Sequence, residues 1–201
     1  MRRLSILVAL IFAASIVAGL AALDDGSALA GQRTFVGAAK CKTCHKKPEN
    51  GEQFKIWSES AHAKAYETLA SEAAKKIAAD KGIADPQKAD ECLSCHVTGH
   101  GVAAEFLGKK YAVTDGVGCE SCHGAGGDYY KKKTMIAIAG GEIDRATVGL
   151  VKPDEKVCTG CHNDKSPTFE SFDFAAMSKK IAHPIPEGAE RTGAGGDDEE
   201  E

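Results

Sequence analysis

The stretch GVGCESCHGAGG, residues 116–127, places two cysteines three positions apart and a histidine directly after the second. Two thiols at this spacing can add to the two vinyl groups on one edge of a porphyrin, and the imidazole of the next residue then lies under the iron. The stretch therefore predicts that Cys119 and Cys122 hold a haem c group and that His123 is the proximal ligand of its iron.

The same pattern accounts for every cysteine of the chain. The eight cysteines fall into four Cys-x-x-Cys-His copies, with none left over. The predicted haem-binding residues are Cys41, Cys44, His45, Cys92, Cys95, His96, Cys119, Cys122, His123, Cys158, Cys161 and His162. The copies recur at unequal intervals, which excludes a solenoid of fixed repeat length. The sequence thus predicts four covalently attached haem c groups.

Three other cysteine-based sites fit the pattern less well. Zinc ribbons pair two Cys-x-x-Cys units without requiring a histidine after each. Thioredoxin-type redox motifs do not come four to a chain that lacks a βαβ pattern. A disulfide framework suits an exported protein but leaves the four histidines unexplained. Covalent haem attachment is the interpretation that uses all twelve residues.

The composition predicts that side chains alone do not fill the interior. Only 6% of the 201 residues are aromatic, and alanine, which buries little area, dominates the apolar remainder. We expect a mainly α, small multihaem cytochrome c fold, with little or no sheet. In this fold, short helices and ordered loops wrap around four closely packed covalent haems.

The two ends of the chain differ from its middle. Residues 1–23 are a double arginine followed by an apolar run, and a small-x-small site at Ala28-Leu29-Ala30 comes after them. We interpret residues 1–30 as a secretory signal peptide, with an uncleaved membrane anchor as the alternative. Residues 31–188 are the predicted tetrahaem domain, and residues 189–201, which end in five consecutive acids, are a predicted disordered tail.

Local patterns predict where helices lie. Residues 60–81 are rich in alanine, glutamate and lysine, with Ser60 as a cap and Gly82 as a stop, and they predict one long helix. His62 falls on the buried face of that helix. The other predicted elements are helices over 86–96, 142–150 and 154–162 and a short strand at KKYAV, residues 109–113.

The histidine count limits axial ligation. Four six-coordinate haems need eight axial ligands, whereas the chain has seven histidines. The candidates for metal-binding distal ligands are His62, His183 and His100. At least one haem therefore has another distal ligand or none, and Met135 is the obvious substitute, although core packing is its simpler role. His100 follows His96 too closely to reach the opposite face of the same haem, so it serves a neighbouring haem or hydrogen-bonds a propionate.

Four stretches resemble the tetrahaem cytochrome c-554 family: KCKTCHKKPENGEQFKIWSESAHAKAYETL (40–69), ECLSCHVTGHG (91–101), GVGCESCHGAGG (116–127) and VCTGCHN (157–163). The resemblance implies three haems with two histidine ligands each and a five-coordinate second haem, on Cys92 and Cys95. It also implies that His62 and His183 are distal ligands. The family carries a further distal histidine shortly after its third motif, where this chain reads GGDYYKKKTM, and His100 is the residue that would compensate.

The expected function is that of a periplasmic electron carrier that exchanges single electrons with a redox donor and acceptor and has no catalytic residues. The resemblance implies an octahaem hydroxylamine-oxidoreductase-like donor, and a membrane quinol-linked cytochrome is the other partner considered. The net charge of −4 does not indicate nucleic-acid binding, and membrane association would require an uncleaved signal. The alternative function is an enzyme that reduces nitric oxide or another nitrogen oxide at a five-coordinate haem.

Overall fold

The computed structural model describes residues 33–183, which belong to one compact unit. The predicted signal peptide, residues 1–30, and the predicted acidic tail, residues 189–201, lie outside the described residues. Within residues 33–183, no helix has both the length and the apolar character needed to cross a membrane.

Short helices dominate residues 33–183, as the sequence predicts. The nine α-helices of this part of the chain are α1 (Ala38–His45), α2 (Gln53–Glu59), α3 (Ala65–Thr68), α4 (Glu72–Asp80), α5 (Asp90–His96), α6 (Cys119–His123), α7 (Lys132–Ala139), α8 (Glu155–Thr159) and α9 (Phe174–Ile181). Short 3₁₀ turns lie at Pro48–Asn50, Ala104–Phe106, Val113–Asp115, Gly126–Asp128 and Arg145–Val148. The described residues contain no strand, and one isolated parallel bridge joins Phe35 to Leu107. The fold is mainly α.

Three of the four Cys-x-x-Cys-His copies lie at the C-terminal end of a helix. The helices α1, α5 and α6 all end at the histidine of their motif. In the fourth copy, α8 ends at Thr159, but the His162 N–H still donates to the Cys158 carbonyl at 3.0 Å. Because residues three apart share a helix face, each helical copy presents its two sulfur atoms on one side.

The single helix predicted over 60–81 is wrong. Residues 61–64 form a turn, and the rest of the segment divides into α3 and α4. Ser71 starts α4 because its backbone is extended and its hydroxyl accepts the Ala74 N–H at 3.2 Å. A local capping bond thus interrupts a stretch whose composition favours continuous helix.

The helix predicted over 86–96 begins later, at Asp90, because Asp85 initiates a turn first. Its carboxylate accepts the Gln87 N–H at 2.9 Å, and its carbonyl accepts the Lys88 N–H at 3.1 Å. Such side-chain bonds to the following backbone compete with helix formation. The last predicted helix, 154–162, is also shorter and comprises only α8.

Two other predicted elements differ in type. The segment 142–150 contains a 3₁₀ turn at Arg145–Val148 instead of an α-helix, and it ends at Gly149, whose φ is 74°. The predicted strand at 109–113 is a turn, since the Tyr111 N–H donates to the Gly108 carbonyl at 2.8 Å.

The residues just before the third motif anchor the region around His62. The Trp57 indole donates to the Val117 carbonyl at 2.9 Å, and the Val117 N–H donates to the His62 carbonyl at 3.0 Å. Gly116 has a φ of +62°, and a Cβ there would lie 2.8 Å from the same His62 carbonyl. This close approach requires glycine, and it holds the turn that carries His62.

Thr98, two residues after the second motif, joins that motif to the third. It is 7% exposed, and its hydroxyl accepts the Gly118 N–H at 2.7 Å. The same hydroxyl lies 2.7 Å from the Ser121 hydroxyl, within the third motif, and the Tyr111 hydroxyl donates to the Thr98 carbonyl at 2.7 Å. The second and third motifs are therefore connected through buried hydrogen bonds.

Glu120, which stands between the two cysteines of the third motif, is buried at 4% exposure. Its carboxylate accepts three backbone N–H groups, from Val36 at 2.8 Å, Gly37 at 2.8 Å and Gly126 at 2.6 Å. Gly37 is required for this approach, because its φ is +84° and a Cβ there would collide with the Lys110 carbonyl. One side chain of α6 thus binds both the residues that precede α1 and the turn that follows α6.

The apolar core that the polypeptide itself supplies is small. Within residues 33–183, the buried hydrophobic residues are Val36, Ala38, Leu69, Ala78, Val97 and Tyr129. None of the side chains in the described part of the chain is completely buried. Polar connections such as those of Glu120 and Thr98 therefore contribute a large share of the fold's specificity.

Substitution of Glu120 tests this contribution. Glu120→Ala leaves three buried N–H groups without their acceptor, and we expect the free energy of unfolding to fall by about 3 kcal/mol or more. Glu120→Gln keeps one oxygen acceptor and should lose less. Denaturant unfolding of the holoprotein, followed by circular dichroism, measures both. The exposed Glu105→Gln is the matched control, and an equal effect of E105Q and E120Q would contradict the assignment.

Candidate haem sites

All eight cysteines are half-buried free thiols. The disulfide framework considered as an alternative is therefore not formed in residues 33–183, which contain every cysteine. The described part of the chain also brings together no group of three or more histidine, cysteine or acidic side chains that could hold a metal ion. A structural zinc site needs four such ligands, so the side chains are not arranged for one.

The first and third motifs lie against each other. The thiols of Cys41 and Cys119 share a hydrogen bond, which lowers the pKa of Cys41 and raises the pKa of Cys119. The motifs are 78 positions apart along the chain, so only the tertiary fold brings them into contact. The Glu120 carboxylate explains the contact, because it binds the backbone four residues before Cys41 and belongs to the third motif itself.

The fourth motif lies close to two others. Burial, followed by the charge and hydrogen bond of Cys95, raises the pKa of Cys161 to about 11. Burial and then the charge of Cys158 raise the pKa of Cys122. The four motifs, numbered by their order in the sequence, are thus neighbours in space in the order first, third, fourth, second.

Two histidine pairs face each other across distances that suit an intervening metal ion. The ring centroids of His62 and His162 are 6.0 Å apart, and those of His123 and His183 are 5.9 Å apart. With metal–nitrogen bonds of about 2 Å on each side, two axial imidazoles have centroids roughly 6 Å apart. Each pair combines a motif histidine with a histidine that the sequence predicts to be distal, so the donor sets fit axial ligation of haem iron.

The environment of His62, His123 and His183 favours the neutral, ligating form of the imidazole. Burial, and then the charge of His162, lowers the pKa of His62. Burial is also the main reason that the pKa values of His123 and His183 are lowered. A neutral imidazole has the free nitrogen lone pair that a metal ion requires.

Three motif histidines donate from Nδ1 to an oxygen. His96 Nδ1 lies 2.7 Å from the Ala65 carbonyl oxygen, and His123 Nδ1 lies 3.3 Å from the Val151 carbonyl oxygen. His45 Nδ1 lies 3.1 Å from Gln53 Oε1. Because these oxygens only accept hydrogen bonds, the proton is on Nδ1 and the Nε2 lone pair is free, as in metal-ligating histidines.

His100 is held differently from the other predicted ligands. Its Nε2, the nitrogen that the motif histidines leave free, lies 3.0 Å from Asp90 Oδ1, and its side chain is 23% exposed. Met135 is half-buried in α7. His62 lies in the turn 61–64 rather than on the predicted helix face, yet the turn still directs it to His162.

Sequence reasoning missed the residues that position the ligands. Glu120, Gln53 and the Ala65 and Val151 carbonyls carry no motif signal of their own. Only Glu120 had a recognisable cue, since it is an acidic residue inside a Cys-x-x-Cys unit. Gln53 is itself oriented by its amide nitrogen, which donates to the Asn50 carbonyl.

Comparison with known proteins shows the family of the chain. The family model described as "Cytochrome c554 and c-prime" matches residues 40–124. Cytochrome c-554 of Nitrosomonas europaea is 35% identical over an alignment of 159 residues, and the alignment covers 73% of this chain. The chain belongs to the cytochrome c-554 family. The aligned region spans 65% of that relative, less than two thirds of its length, and no solved structure matches the chain.

The family is one of c-type cytochromes, in which haem c is bound covalently. The residues of this cytochrome fit that group, because their cysteines share faces, their histidines form the two facing pairs described above, and three Nδ1 protons have acceptors. Two motif histidines, His45 and His96, have no such facing histidine within residues 33–183.

Removal of each facing histidine tests the two pairs. We expect His62→Ala and His183→Ala each to convert one haem of the ferric holoprotein from low spin to high spin, because each loses its sixth ligand. Electron paramagnetic resonance, with spin counting, measures the change. His100→Ala is the control and should leave the count unaltered. An unchanged spectrum in either H62A or H183A would show that the pair does not share an iron.

Proposed function

We propose that the chain is an exported tetrahaem c-type cytochrome that transfers single electrons between redox partners. Each Cys-x-x-Cys-His copy holds one haem c, with His45, His96, His123 and His162 as proximal ligands. The haem iron supplies the one-electron oxidation and reduction. The support is that all eight cysteines and four of the seven histidines fall in these copies, in a chain of the cytochrome c-554 family.

The proposed distal ligands are His62, opposite His162, and His183, opposite His123. The ring separations of 6.0 Å and 5.9 Å support both assignments. Two imidazole ligands on one iron leave no position for a substrate, which suits electron transfer. The third and fourth haems, which occupy the middle of the spatial order, are then six-coordinate.

The observation that carries the proposal is that each motif lies beside the next one in the spatial order first, third, fourth, second. Cys41 touches Cys119, Cys122 lies near Cys158, and Cys161 touches Cys95. Haem groups attached to these cysteines would be neighbours from one end of the domain to the other. Single electrons could then enter at the first motif and leave at the second, or take the opposite direction.

Charge indicates the kind of partner. The chain has a formal net charge of −4, and four haems would add eight propionates. A donor or acceptor with a basic docking face would therefore be attracted, and redox encounters of this kind are small and transient. A redox enzyme resembling octahaem hydroxylamine oxidoreductase and a quinol-linked membrane cytochrome are the two candidate partners, and the periplasm is the proposed location.

Reduction of nitric oxide or another nitrogen oxide is the second candidate function. The observation in its favour is that His96 and His45 have no facing histidine in the described chain. A haem with a free axial position can bind a small ligand, but catalysis also needs proton donors near the iron. Electron transfer remains the first proposal because the motif contacts support it directly.

The number of haem groups per chain tests the tetrahaem assignment. Intact-protein mass spectrometry of the secreted protein should give the mass of the polypeptide plus four haem groups, with an N-terminus at or a few residues before Gly31. The double variant Cys92→Ser/Cys95→Ser should carry three. A secreted protein with fewer than four haems in the unaltered chain would contradict the tetrahaem assignment, and an intact N-terminus would favour the membrane anchor.

Electron delivery separates the two functions. We expect the fully reduced protein, mixed with a one-electron acceptor in a stopped-flow spectrophotometer, to deliver four electrons per chain, because neighbouring haems re-equilibrate. The three-haem variant C92S/C95S should deliver three. Supplied with excess reductant and nitric oxide, the carrier should form no nitrous oxide catalytically. Sustained nitrous oxide production would instead establish the second function.

A further inference from the structure

The first-motif haem is where this chain departs from the pattern that the family resemblance implies. We infer that the haem held by Cys41, Cys44 and His45 has no histidine on its distal side and is a second site for a small diatomic ligand such as nitric oxide. This inference rests on the four-haem assignment proposed above. It gives the chain two haems with an open axial position, whereas the resemblance implies one, on the second motif.

The other histidines of the chain already have partners. His62 faces His162, and His183 faces His123, each at a separation that suits one iron between them. His100 directs Nε2 to Asp90 at 3.0 Å. The seven histidines of the chain are thus four proximal residues, two facing residues and His100, which leaves none for the distal side of His45.

The segment after the third motif supplies no replacement histidine. Residues 126–135 read GGDYYKKKTM. Within this segment, Tyr130 comes near the first motif, because the Lys40 ammonium lies 5.5 Å from the Tyr130 ring centroid. Tyr129 is buried, and its hydroxyl donates to the carbonyl of Gly124, the residue after the third motif, at 2.6 Å. The segment therefore comes near the first motif, but it brings a tyrosine there and contains no histidine.

The proximal side of the same haem is complete. His45 Nδ1 donates to Gln53 Oε1, so its Nε2 lone pair is available to the iron. Gln53 is in turn held by its hydrogen bond to the Asn50 carbonyl. An iron with one well-oriented imidazole and an open opposite face binds neutral diatomic molecules in its reduced state. Gln53 is the positioning residue for this site.

The site lies at one end of the spatial order of motifs. The first motif touches the third, and the second motif touches the fourth, so the two haems without a facing histidine are at opposite ends. The two six-coordinate haems stand between them. Electrons would thus pass between the two ligand-binding haems through two haems that bind no exogenous ligand.

Resonance Raman spectroscopy of the reduced holoprotein tests the inference. The stretching vibration between iron and a proximal histidine is visible only for five-coordinate reduced haems, and it responds to the hydrogen bond at Nδ1. We expect two such bands, one of which shifts in Gln53→Leu while the other, from His96 with its main-chain acceptor, stays in place. Titration of the reduced protein with nitric oxide should bind two equivalents per chain, with or without the Met135→Leu substitution.

Other outcomes would overturn the inference. One band that ignores the Q53L substitution means that only the second-motif haem is open. One band in the unaltered protein and two in M135L identifies Met135 as the missing ligand, and the same gain in H100A identifies His100. Two bands that both ignore Q53L would place the second open haem elsewhere. Because mass spectrometry of the same sample counts the haems, a failure of the tetrahaem proposal would be recognised separately.

Discussion

The Glu120 carboxylate is the interaction on which the arrangement of the motifs depends. A buried charge needs hydrogen-bond donors, and here the backbone N–H groups of Val36, Gly37 and Gly126 provide them. Satisfying the carboxylate brings the start of α1 to the third motif, and Cys41 then meets Cys119. Because the Glu120 carboxylate takes its donors from the segment before the first motif, the first and third motifs are neighbours. The second motif lies between them in sequence.

A chain with few large apolar side chains has to obtain its specificity elsewhere. The residues before the third motif show how: Val117 binds Trp57 and the backbone of His62, and Thr98 links the second motif to Gly118. These bonds are short and directional, so they define positions more sharply than contacts between alanines would. The bond from Val117 also holds the backbone of the turn that carries His62.

The limited number of histidines divides the sites into two kinds. The third and fourth motifs have facing histidines, and these motifs occupy the middle of the spatial order. The first and second motifs have proximal histidines with Nδ1 acceptors but no facing histidine in the described chain. On the proposed assignment, the six-coordinate haems in the middle would suit electron transfer, and the open haems at the ends would suit ligand binding.

The sequence by itself predicted the chemistry of this protein. The four Cys-x-x-Cys-His copies and the count of seven histidines follow from residue type and spacing, the family resemblance implied His62 and His183 as distal ligands, and the mainly α fold was predicted as well. The helix over 60–81 was wrong because composition favours helix throughout, whereas the Ser71 cap and the bonds to the His62 carbonyl act against it. Only the tertiary structure decided which motifs touch and which histidines face each other. Such contacts join residues 36 to 100 positions apart, and a local pattern carries no information about where a distant N–H group or imidazole will lie.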